Sequence, residues 1–354
     1  PIYLKPEIDE DLGIAMAVST ENIETALKEY SDVKAVLIVN PTYYGVTADV
    51  KKIAELVHNS GKILLVDEAH GPHLIFSDKL PISAIEAGAD IVAQSTHKIL
   101  SALTQSSMLH CRHENIDLPR LQNVLSLLQS TSPNYLLLAS LDLARQQMAT
   151  EGKKLLARAI SLSNKLRKDV NDIEGLSCFG IEKKDDIAMY GFDFTKITVC
   201  FKELGLTGAE AEKILRYDYK IQAELADVYN VLFIISIGDD EKSVQTLLDA
   251  LKDIANKFKN KEKLKFKVDL PNIPPKVVLP QDAFYATKNI MKFSEAAGTI
   301  CGEKITFYPP GIPIICPGEE ITQEIIDYCL SLSKKGYKVV GPEDCTLEKI
   351  RVVK

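Results

Sequence analysis

The stretch DIVAQSTHKILSALTQSS (residues 90–107) joins a strand-like run to a lysine. DIVAQS is apolar enough to predict a short buried strand, and Thr96, His97 and Lys98 follow it before a segment of small residues. Proteins usually leave lysine in water. A lysine placed directly after a buried strand therefore indicates a function for its amino group.

The segments around this stretch alternate between strand and helix patterns. The near-continuous apolar runs VKAVLIVNPTYYG (33–45) and KILLVDEAHG (62–71) predict two more buried strands, and SMLHC (107–111) predicts a fourth. Helical spacing covers 47–59, and a short helix is expected at 83–88. This alternation predicts an α/β fold whose large domain contains a mostly parallel sheet with right-handed crossovers.

Two ionisable residues, Asp67 and Lys98, fall at the carboxyl ends of predicted strands, where parallel sheets place their binding sites. In a sheltered cleft the ammonium of Lys98 would be desolvated, and the neutral amine can form a Schiff base with an aldehyde. Pyridoxal phosphate uses such an amine, and Asp67 would be the buried carboxylate opposite its ring nitrogen. Neighbouring residues could hold the phosphate and the ring: Ser95, Thr96 and His97 as donors, and Ala69 as a small residue under the ring. An ordinary surface turn after an ordinary strand remains the alternative.

The rest of the chain predicts two smaller domains. A long helical region at 139–170, which forms either one helix or two with Glu151 and Gly152 near its middle, leads out of a large domain at 1–150. Strand, helix, strand, strand and helix patterns then predict an α+β domain with antiparallel strands at 151–269. A proline-rich link opens a third domain at 270–354.

Composition excludes several classes of function. With 354 residues, 46% of them hydrophobic, and a net charge of −7, the chain has a globular profile and no nucleic-acid platform. No apolar run is long enough to predict a membrane span. Seven scattered cysteines without a CxxC pair indicate reduced thiols in the cytoplasm. Six histidines without ligand spacing predict no metal site.

Six ordered segments resemble one family over the whole chain: NPTYYG, LLVDEAHGPH, AGADIVAQSTHKILSALTQSS, TSPNYLLLASLD, YPPGIPIICPGEEIT and GPEDCTLEKIRVVK. They are similar to the Orn/Lys/Arg decarboxylases, which are fold-type-I pyridoxal-phosphate enzymes, and most of all to the shorter bacterial arginine and lysine decarboxylases. The resemblance implies decarboxylation of arginine, lysine or ornithine to the amine, for polyamine synthesis or acid response.

The resemblance also implies roles for single residues. Lys98 would be the Schiff-base lysine, Asp67 the partner of the ring nitrogen, and His97 a further catalytic residue. The cofactor-binding set implied by the resemblance is Lys98, Asp67, Ala69, His70, Ser95, His97, Thr131 and Ser132.

Thr131 and Ser132 resemble a segment that reaches the phosphate in the neighbouring subunit. This implies a homodimer or higher oligomer with shared active sites. An ordinary helix N-cap before Pro133 is compatible with that role.

A basic substrate side chain needs carboxylates around it. The resemblance places an acid of PGEEIT, Glu319 or Glu320, near the distal cation of the substrate, and Glu224 and Asp227 are weaker candidates. For Glu319 and Glu320, a charged turn before the helix at Thr322 is the structural alternative.

Two other functions remain open at this point. The first is an aminotransferase or lyase on the same fold. An aminotransferase would recognise the substrate carboxylate with an arginine, for which Arg216 is the main candidate, although its helical setting favours a surface role. A non-catalytic fragment or regulatory partner is the second. The family carries a further amino-terminal region with a phosphate-binding turn and a ring-stacking histidine, so we expect the large domain here to be incomplete and to need an amino-terminal companion chain.

Overall fold

The computed structural model describes residues 1–112, 114–183, 188–265, 270–308, 311–334 and 336–354. The chain divides into two compact units, Pro1–Lys265 and Phe266–Lys354. The finer division of the first unit near residue 150 stays a prediction. Of the segments that carry the family resemblance, Pro309 and Pro310 lie outside the described residues.

The helices and strands of the described residues follow the predicted alternation. The helices are α1 (Thr20–Glu29), α2 (Val50–Asn59), α3 (Ala84–Ala87), α4 (Thr96–Ile99), α5 (Leu118–Leu128), α6 (Tyr135–Asn171), α7 (Gly208–Asp218), α8 (Glu241–Phe258), α9 (Pro280–Tyr285) and α10 (Gln323–Lys334). The strands are β1 (Ile8–Asp9), β2 (Ile14–Ala15), β3 (Ala35–Val39), β4 (Val46–Thr47), β5 (Ile63–Asp67), β6 (Ile91–Gln94), β7 (Met108–Cys111), β8 (Ser177–Cys178), β9 (Gly191–Phe192), β10 (Lys196–Cys200), β11 (Leu225–Ala226), β12 (Asn230–Ile234), β13 (Lys288–Lys292), β14 (Ile305–Tyr308), β15 (Pro313–Ile315), β16 (Lys338–Val340) and β17 (Lys349–Val353).

The central sheet of the first unit has the strand order β3-β5-β6-β7. β5 pairs in parallel with both β3 and β6, whereas β7 runs antiparallel to β6. In this register Val39 and Ala93 lie on either side of Asp67. The carboxyl ends of β3, β5 and β6 therefore meet at one edge of the sheet, and the prediction of a mostly parallel sheet is confirmed.

Helices α2 and α3 cover one face of this sheet. The apolar residues of α2 recur at helical spacing, so that Ile53 and Val57 pack with Leu64 of β5 and Val92 of β6. On the opposite face Leu37 of β3 remains 68% exposed. The covered face fixes which side of each strand is buried, and with it the register of the sheet.

A single long helix links the central sheet to a second one. Residue 152 lies in the middle of α6, where a break was possible, but α6 continues unbroken through Gly152, at which a Cβ would lie 3.5 Å from the Cβ of Phe76. The second sheet has the order β11-β12-β10-β8 and is antiparallel throughout. The predicted antiparallel α+β pattern is thus confirmed.

The second unit contains a β13–β17 pair and a three-stranded sheet in the order β15-β14-β16. Its core is formed by these strands and α10, around residues such as Ile305, Ile325 and Cys329. No helix among the described residues is both long and apolar enough to cross a membrane.

A short antiparallel ribbon ties the two sheets of the first unit together. Val46 pairs with Phe192 and Thr47 with Gly191. The preceding Gly45 has φ +89°, and a Cβ there would lie 2.8 Å from the Cγ of Lys196. Only glycine fits both the left-handed backbone and this close approach.

The buried acid Glu68 anchors α3 to the sheet. Its carboxylate accepts hydrogen bonds from the Ala84 amide and from the Gln94 side chain, each at 2.6 Å. Burial raises the pKa of Glu68 to about 7, although these hydrogen bonds oppose the shift. The folded protein therefore binds a proton at Glu68 more tightly than the unfolded chain does.

We expect Gly45→Ala to destabilise the protein by about 2–4 kcal/mol, from left-handed strain together with overpacking against Lys196. Gly61→Ala is the matched control, because Gly61 also has positive φ (+66°) but nothing within 4 Å of its added Cβ. Chemical unfolding of both variants measures the difference. Equal losses of unfolding free energy in the two variants would mean that the close approach of the added Cβ to Lys196 does not destabilise the protein.

Glu68→Gln should change the pH dependence of stability. Because the folded protein raises the pKa of Glu68, the proton on Glu68 stabilises the fold fully below the ordinary pKa of 4.5. This stabilisation is lost as pH rises to about 7, so ionisation of Glu68 lowers the free energy of unfolding of the wild type across that window. Relative to wild type, the variant should gain on the order of 3 kcal/mol between pH 4 and pH 8. The measurement is the free energy of unfolding against pH, with Glu55→Gln at an exposed position of α2 as control. A difference in the free energy of unfolding between Glu68→Gln and wild type that stays constant from pH 4 to pH 8 would contradict the raised pKa of Glu68.

Candidate active site

Asp67 ends β5 at the functional edge of the sheet. Its Oδ1 accepts a hydrogen bond from the Ala69 amide at 3.0 Å, which turns the chain after the strand. We expected a buried carboxylate, but in this chain the Asp67 side chain is exposed, and the buried acid is its neighbour Glu68. The physical reason is alternation along the strand, because successive side chains point to opposite faces of a sheet.

Lys98 and His70 meet beside this edge. Lys98 lies in α4, directly after β6, and its Nζ is 3.3 Å from the Nε2 of His70. The ring of Tyr43 packs on His70 with 4.3 Å between ring centroids, and Lys98 Nζ lies 5.7 Å from the Tyr43 centroid. The described residues do not form the expected shelter around Lys98, since its side chain is exposed while that of His70 is buried.

His70 is held in its neutral form. Burial is the main cause that lowers its pKa to about 3, and the charges of Lys196 and Lys98 add to the effect against an opposing contribution from Asp193. A neutral imidazole has one nitrogen free to accept a hydrogen bond, which Nε2 can do from Lys98. The Nδ1 of His70 is buried without a hydrogen-bond partner in the described part of the chain.

The other predicted phosphate residues surround α4. Ser95 is half-buried, and its carbonyl accepts the Lys98 amide hydrogen bond at 3.0 Å. The Nδ1 of His97 lies 2.8 Å from the carbonyl oxygen of Ser106, which fixes the ring. Thr96 is buried, and its hydroxyl has no partner among the described residues. These side chains flank Lys98.

Thr131 and Ser132 lie in an exposed segment between α5 and α6. The N-cap of α6 is Asn134, whose Oδ1 accepts hydrogen bonds from the Leu136 and Leu137 amides. The two hydroxyl residues are therefore not used as the cap of this helix. Their role toward a neighbouring subunit stays a prediction.

Glu319 and Glu320 belong to the second unit. The carboxylate of Glu319 accepts a hydrogen bond from the Cys316 amide at 2.7 Å, and burial raises its pKa. Glu320 is half-buried. Thr322, not either acid, supplies the side-chain hydrogen bond to the first turn of α10, through the Ile325 amide.

The remaining candidates lie in the second sheet region of the first unit. Glu224 is exposed and close enough to Lys196 for its negative charge to favour the ammonium there. Asp227 is occupied by hydrogen bonds from Tyr44 and Asn230. Arg216 pairs with Glu212 on the exposed side of α7, which agrees with a surface role.

Three buried ionisable residues of this region were not found from the sequence as candidates: His73, Asp193 and Lys196. His73 Nε2 lies 3.0 Å from Asp193 Oδ2, and Lys196 Nζ lies 3.6 Å from the same oxygen. The three-residue spacing of His70 and His73 was the signal that the sequence offered. No group of metal-ligating side chains occurs in the described residues.

Known proteins resemble the chain over its whole length. A model of the major domain of Orn/Lys/Arg decarboxylases matches residues 1–243, and a model of their C-terminal domain matches residues 266–343. The arginine decarboxylase of Bacillus anthracis is 45% identical, over 100% of this chain and 72% of that protein. The arginine decarboxylase of Bacillus subtilis is 46% identical, over 100% of this chain and 73% of that protein.

The fold has a counterpart among solved structures. The lysine decarboxylase of Francisella novicida superposes with a TM-score of 0.81 and 23% identity, covering 100% of this chain and 63% of that one. This likeness confirms the predicted fold-type-I α/β architecture. Together with the two domain matches and the identity to the arginine decarboxylases, it leads to one conclusion: the chain belongs to the Orn/Lys/Arg decarboxylase family.

Proposed function

We propose that this protein is a pyridoxal-phosphate-dependent lyase that removes the α-carboxylate of a basic amino acid, with arginine as the first candidate substrate. The observation that carries the proposal is the meeting of Lys98 and His70, 3.3 Å apart, at the sheet edge where β5 ends in Asp67. The relatives named arginine decarboxylase support arginine over lysine and ornithine.

The residues at this edge fit pyridoxal 5'-phosphate. The exposed amine of Lys98 is accessible to an aldehyde, and the exposed carboxylate of Asp67 is free to pair with a ring nitrogen. The buried, unpartnered Nδ1 of His70 is a polar atom available for a further contact. When bound, the cofactor supplies an electron sink for the electrons left behind as carbon dioxide departs.

Each side chain of the candidate site would have a separate role in the reaction. Lys98 provides the nucleophilic amine once it has lost a proton. His70 accepts a hydrogen bond from that amine and orients it, but with a pKa of about 3 it is too weak a base to hold the proton near neutral pH. Asp67 would keep the ring nitrogen protonated, which maintains the electron demand. Ser95, His97 and Ala69 would hold the phosphate and the ring.

The same proposal includes a shared active site between subunits. Thr131 and Ser132 lie between strongly exposed apolar residues, with Leu127 84% and Leu128 80% exposed before them and Leu136 73% exposed after them. Apolar residues clustered on a surface mark an interaction site. A neighbouring subunit that covers this segment would bring the two hydroxyls near its own cofactor.

Carboxylates would recognise the distal cation of the substrate. Glu224 is the candidate of the first unit, where its carboxylate is exposed. Glu319 and Glu320 remain candidates of the second unit. A cytoplasmic location is also part of the proposal, in keeping with seven free cysteines. Arg216 is paired with Glu212 on α7, which does not favour the aminotransferase alternative.

Lys98→Ala should abolish covalent attachment of pyridoxal phosphate and nearly all turnover. Borohydride reduction of the wild-type protein with the cofactor, followed by peptide mass spectrometry, should place the label on Lys98. Lys98→Arg is the matched variant, since it keeps a cation beside His70 without a nucleophilic amine at neutral pH, and Lys52→Ala on α2 is the surface control. A label that persists on another lysine of either Lys98 variant would overturn the assignment.

Asp67→Asn should leave the label on Lys98 but slow amine formation from arginine by about 10²-fold or more, because an uncharged partner no longer keeps the ring nitrogen protonated. The exposed loop variant Asp32→Asn should behave as wild type. Amine products from arginine, lysine and ornithine are measured for all three proteins. Amine formation by Asp67→Asn at the wild-type rate would rule out the proposed role of Asp67 at the ring nitrogen.

A further inference from the structure

Ser140 joins helix α6 to the segment that follows Lys98. Its Oγ lies 2.8 Å from the Leu137 carbonyl oxygen, 3.2 Å from the Leu103 amide nitrogen and 3.3 Å from the Ser106 Oγ. Ser140 and Ser106 are both buried. One buried hydroxyl group therefore contacts both its own helix and the loop between α4 and β7.

These three contacts use the whole hydrogen-bonding capacity of the Ser140 hydroxyl group. A serine hydroxyl has one hydrogen to donate and two lone pairs that accept. The Leu137 carbonyl can only accept, so it takes the hydrogen of Ser140. The Leu103 amide donates to one lone pair, and Ser106 must therefore donate its own hydroxyl hydrogen to the other. Both bonds that Ser140 accepts come from the loop.

Ser163 of the same helix shows how a serine with a purely helical role is bonded. Ser163 is fully buried, and its Oγ donates to the Ala159 carbonyl at 2.8 Å, four residues earlier in α6. A helical serine commonly satisfies its hydroxyl in this way. Bonding within the helix accounts for Ser163, but it does not account for the two hydrogen bonds that Ser140 accepts from a loop.

The part of the loop that Ser140 holds is a strained turn. The Ser106 amide donates to the Leu103 carbonyl at 3.1 Å, which closes a β-turn over residues 103–106. The third residue of this turn, Gln105, has φ +79°, a left-handed conformation for which turns favour glycine or asparagine. The turn therefore carries backbone strain, and the two hydrogen bonds to Ser140 oppose its relaxation.

The last residue of the turn fixes the ring of His97. The Ser106 carbonyl oxygen accepts a hydrogen bond from the His97 amide at 3.2 Å, and the Nδ1 of His97 lies 2.8 Å from the same oxygen. A carbonyl cannot donate, so Nδ1 carries a hydrogen, and the neutral ring presents Nε2 as an acceptor. Because His97 directly precedes Lys98, the Ser106 carbonyl determines how this ring is presented beside the amine.

We propose that Ser140 is a positioning residue, which holds the turn at 103–106 in its left-handed form so that the Ser106 carbonyl keeps the His97 ring oriented with a hydrogen on Nδ1. The effect on His97 requires only this chain. The consequence for cofactor binding rests on the proposed function, in which His97 helps to hold the phosphate.

The test measures the tautomer of His97 by ¹⁵N NMR in the protein without cofactor, at roughly pH 9, where imidazoles are neutral. His97→Asn assigns the signal. The wild-type ring should carry its hydrogen on Nδ1, whereas Ser140→Ala should give a mixture of the two tautomers. Ser163→Ala is the matched control, because it also removes a buried hydroxyl from α6 but leaves the turn in place. Its His97 signal should match that of wild type.

Two further variants separate positioning from packing. Gln105→Gly removes the left-handed strain, so the double variant Ser140→Ala/Gln105→Gly should regain the wild-type tautomer of His97. Ser106→Ala removes the same hydroxyl contact from the side of the loop but keeps the carbonyl. It should change the His97 tautomer in the same direction as Ser140→Ala, and it decides the question if Ser140→Ala does not fold.

A purely structural Ser140 gives a different result. It predicts a lower melting temperature for both Ser140→Ala and Ser163→Ala, with the wild-type tautomer of His97 in each. That outcome would overturn the proposal. A changed tautomer in Ser140→Ala that Gln105→Gly does not restore would overturn it too.

Cofactor binding provides a second readout. Ser140→Ala should weaken the binding of pyridoxal phosphate about tenfold, the size of one lost hydrogen bond, and the double variant with Gln105→Gly should recover it. If wild-type Lys98 took no cofactor label, the proposed function would fail, while the tautomer measurement on the protein without cofactor still decided the role of Ser140.

Discussion

The parallel pairing of β5 between β3 and β6 is the constraint on which the candidate site depends. It places Val39, Asp67 and Ala93 side by side, so that the chain leaves all three strands at one edge. In the turn after β5, the buried Glu68 accepts hydrogen bonds from α3 and β6. This turn places His70 beside the amine of Lys98. A shift of one residue in this pairing would exchange the exposed Asp67 for the buried Glu68.

The site combines exposed reactive groups with a buried histidine. Lys98 and Asp67 are accessible, as groups that meet a cofactor must be. His70 is buried behind Lys98, and the charges around it come from a segment after β9 that is distant in sequence. The β4–β9 ribbon and the Arg167 hydrogen bonds hold that segment in place.

Membership of the Orn/Lys/Arg decarboxylase family relates these groups to one reaction. The proposed reaction needs an amine, a carboxylate for the ring nitrogen, phosphate donors and acids for a basic side chain, and the described residues offer a candidate for each. The exposed apolar residues around Thr131 and Ser132 fit a subunit contact, which would join the donors of one chain to the cofactor of another.

The sequence by itself determined the strand and helix alternation, the parallel sheet, and the positions of Asp67 and Lys98 at strand ends. These follow from local apolar periodicity and from the rule that parallel strands share a functional edge. The family resemblance supplied the candidate roles of those residues.

Only the tertiary structure decided which charges surround His70. Asp193 and Lys196 are far from His70 along the chain, and nothing in GFDFTK distinguishes a buried ion pair from an exposed one. The same limit applies to Asp67 and Glu68, adjacent acids whose burial depends on which face of β5 the helices cover. Burial and pKa are set by all the neighbours of a side chain in space, and these neighbours are fixed only when the β4–β9 ribbon and the central sheet have formed.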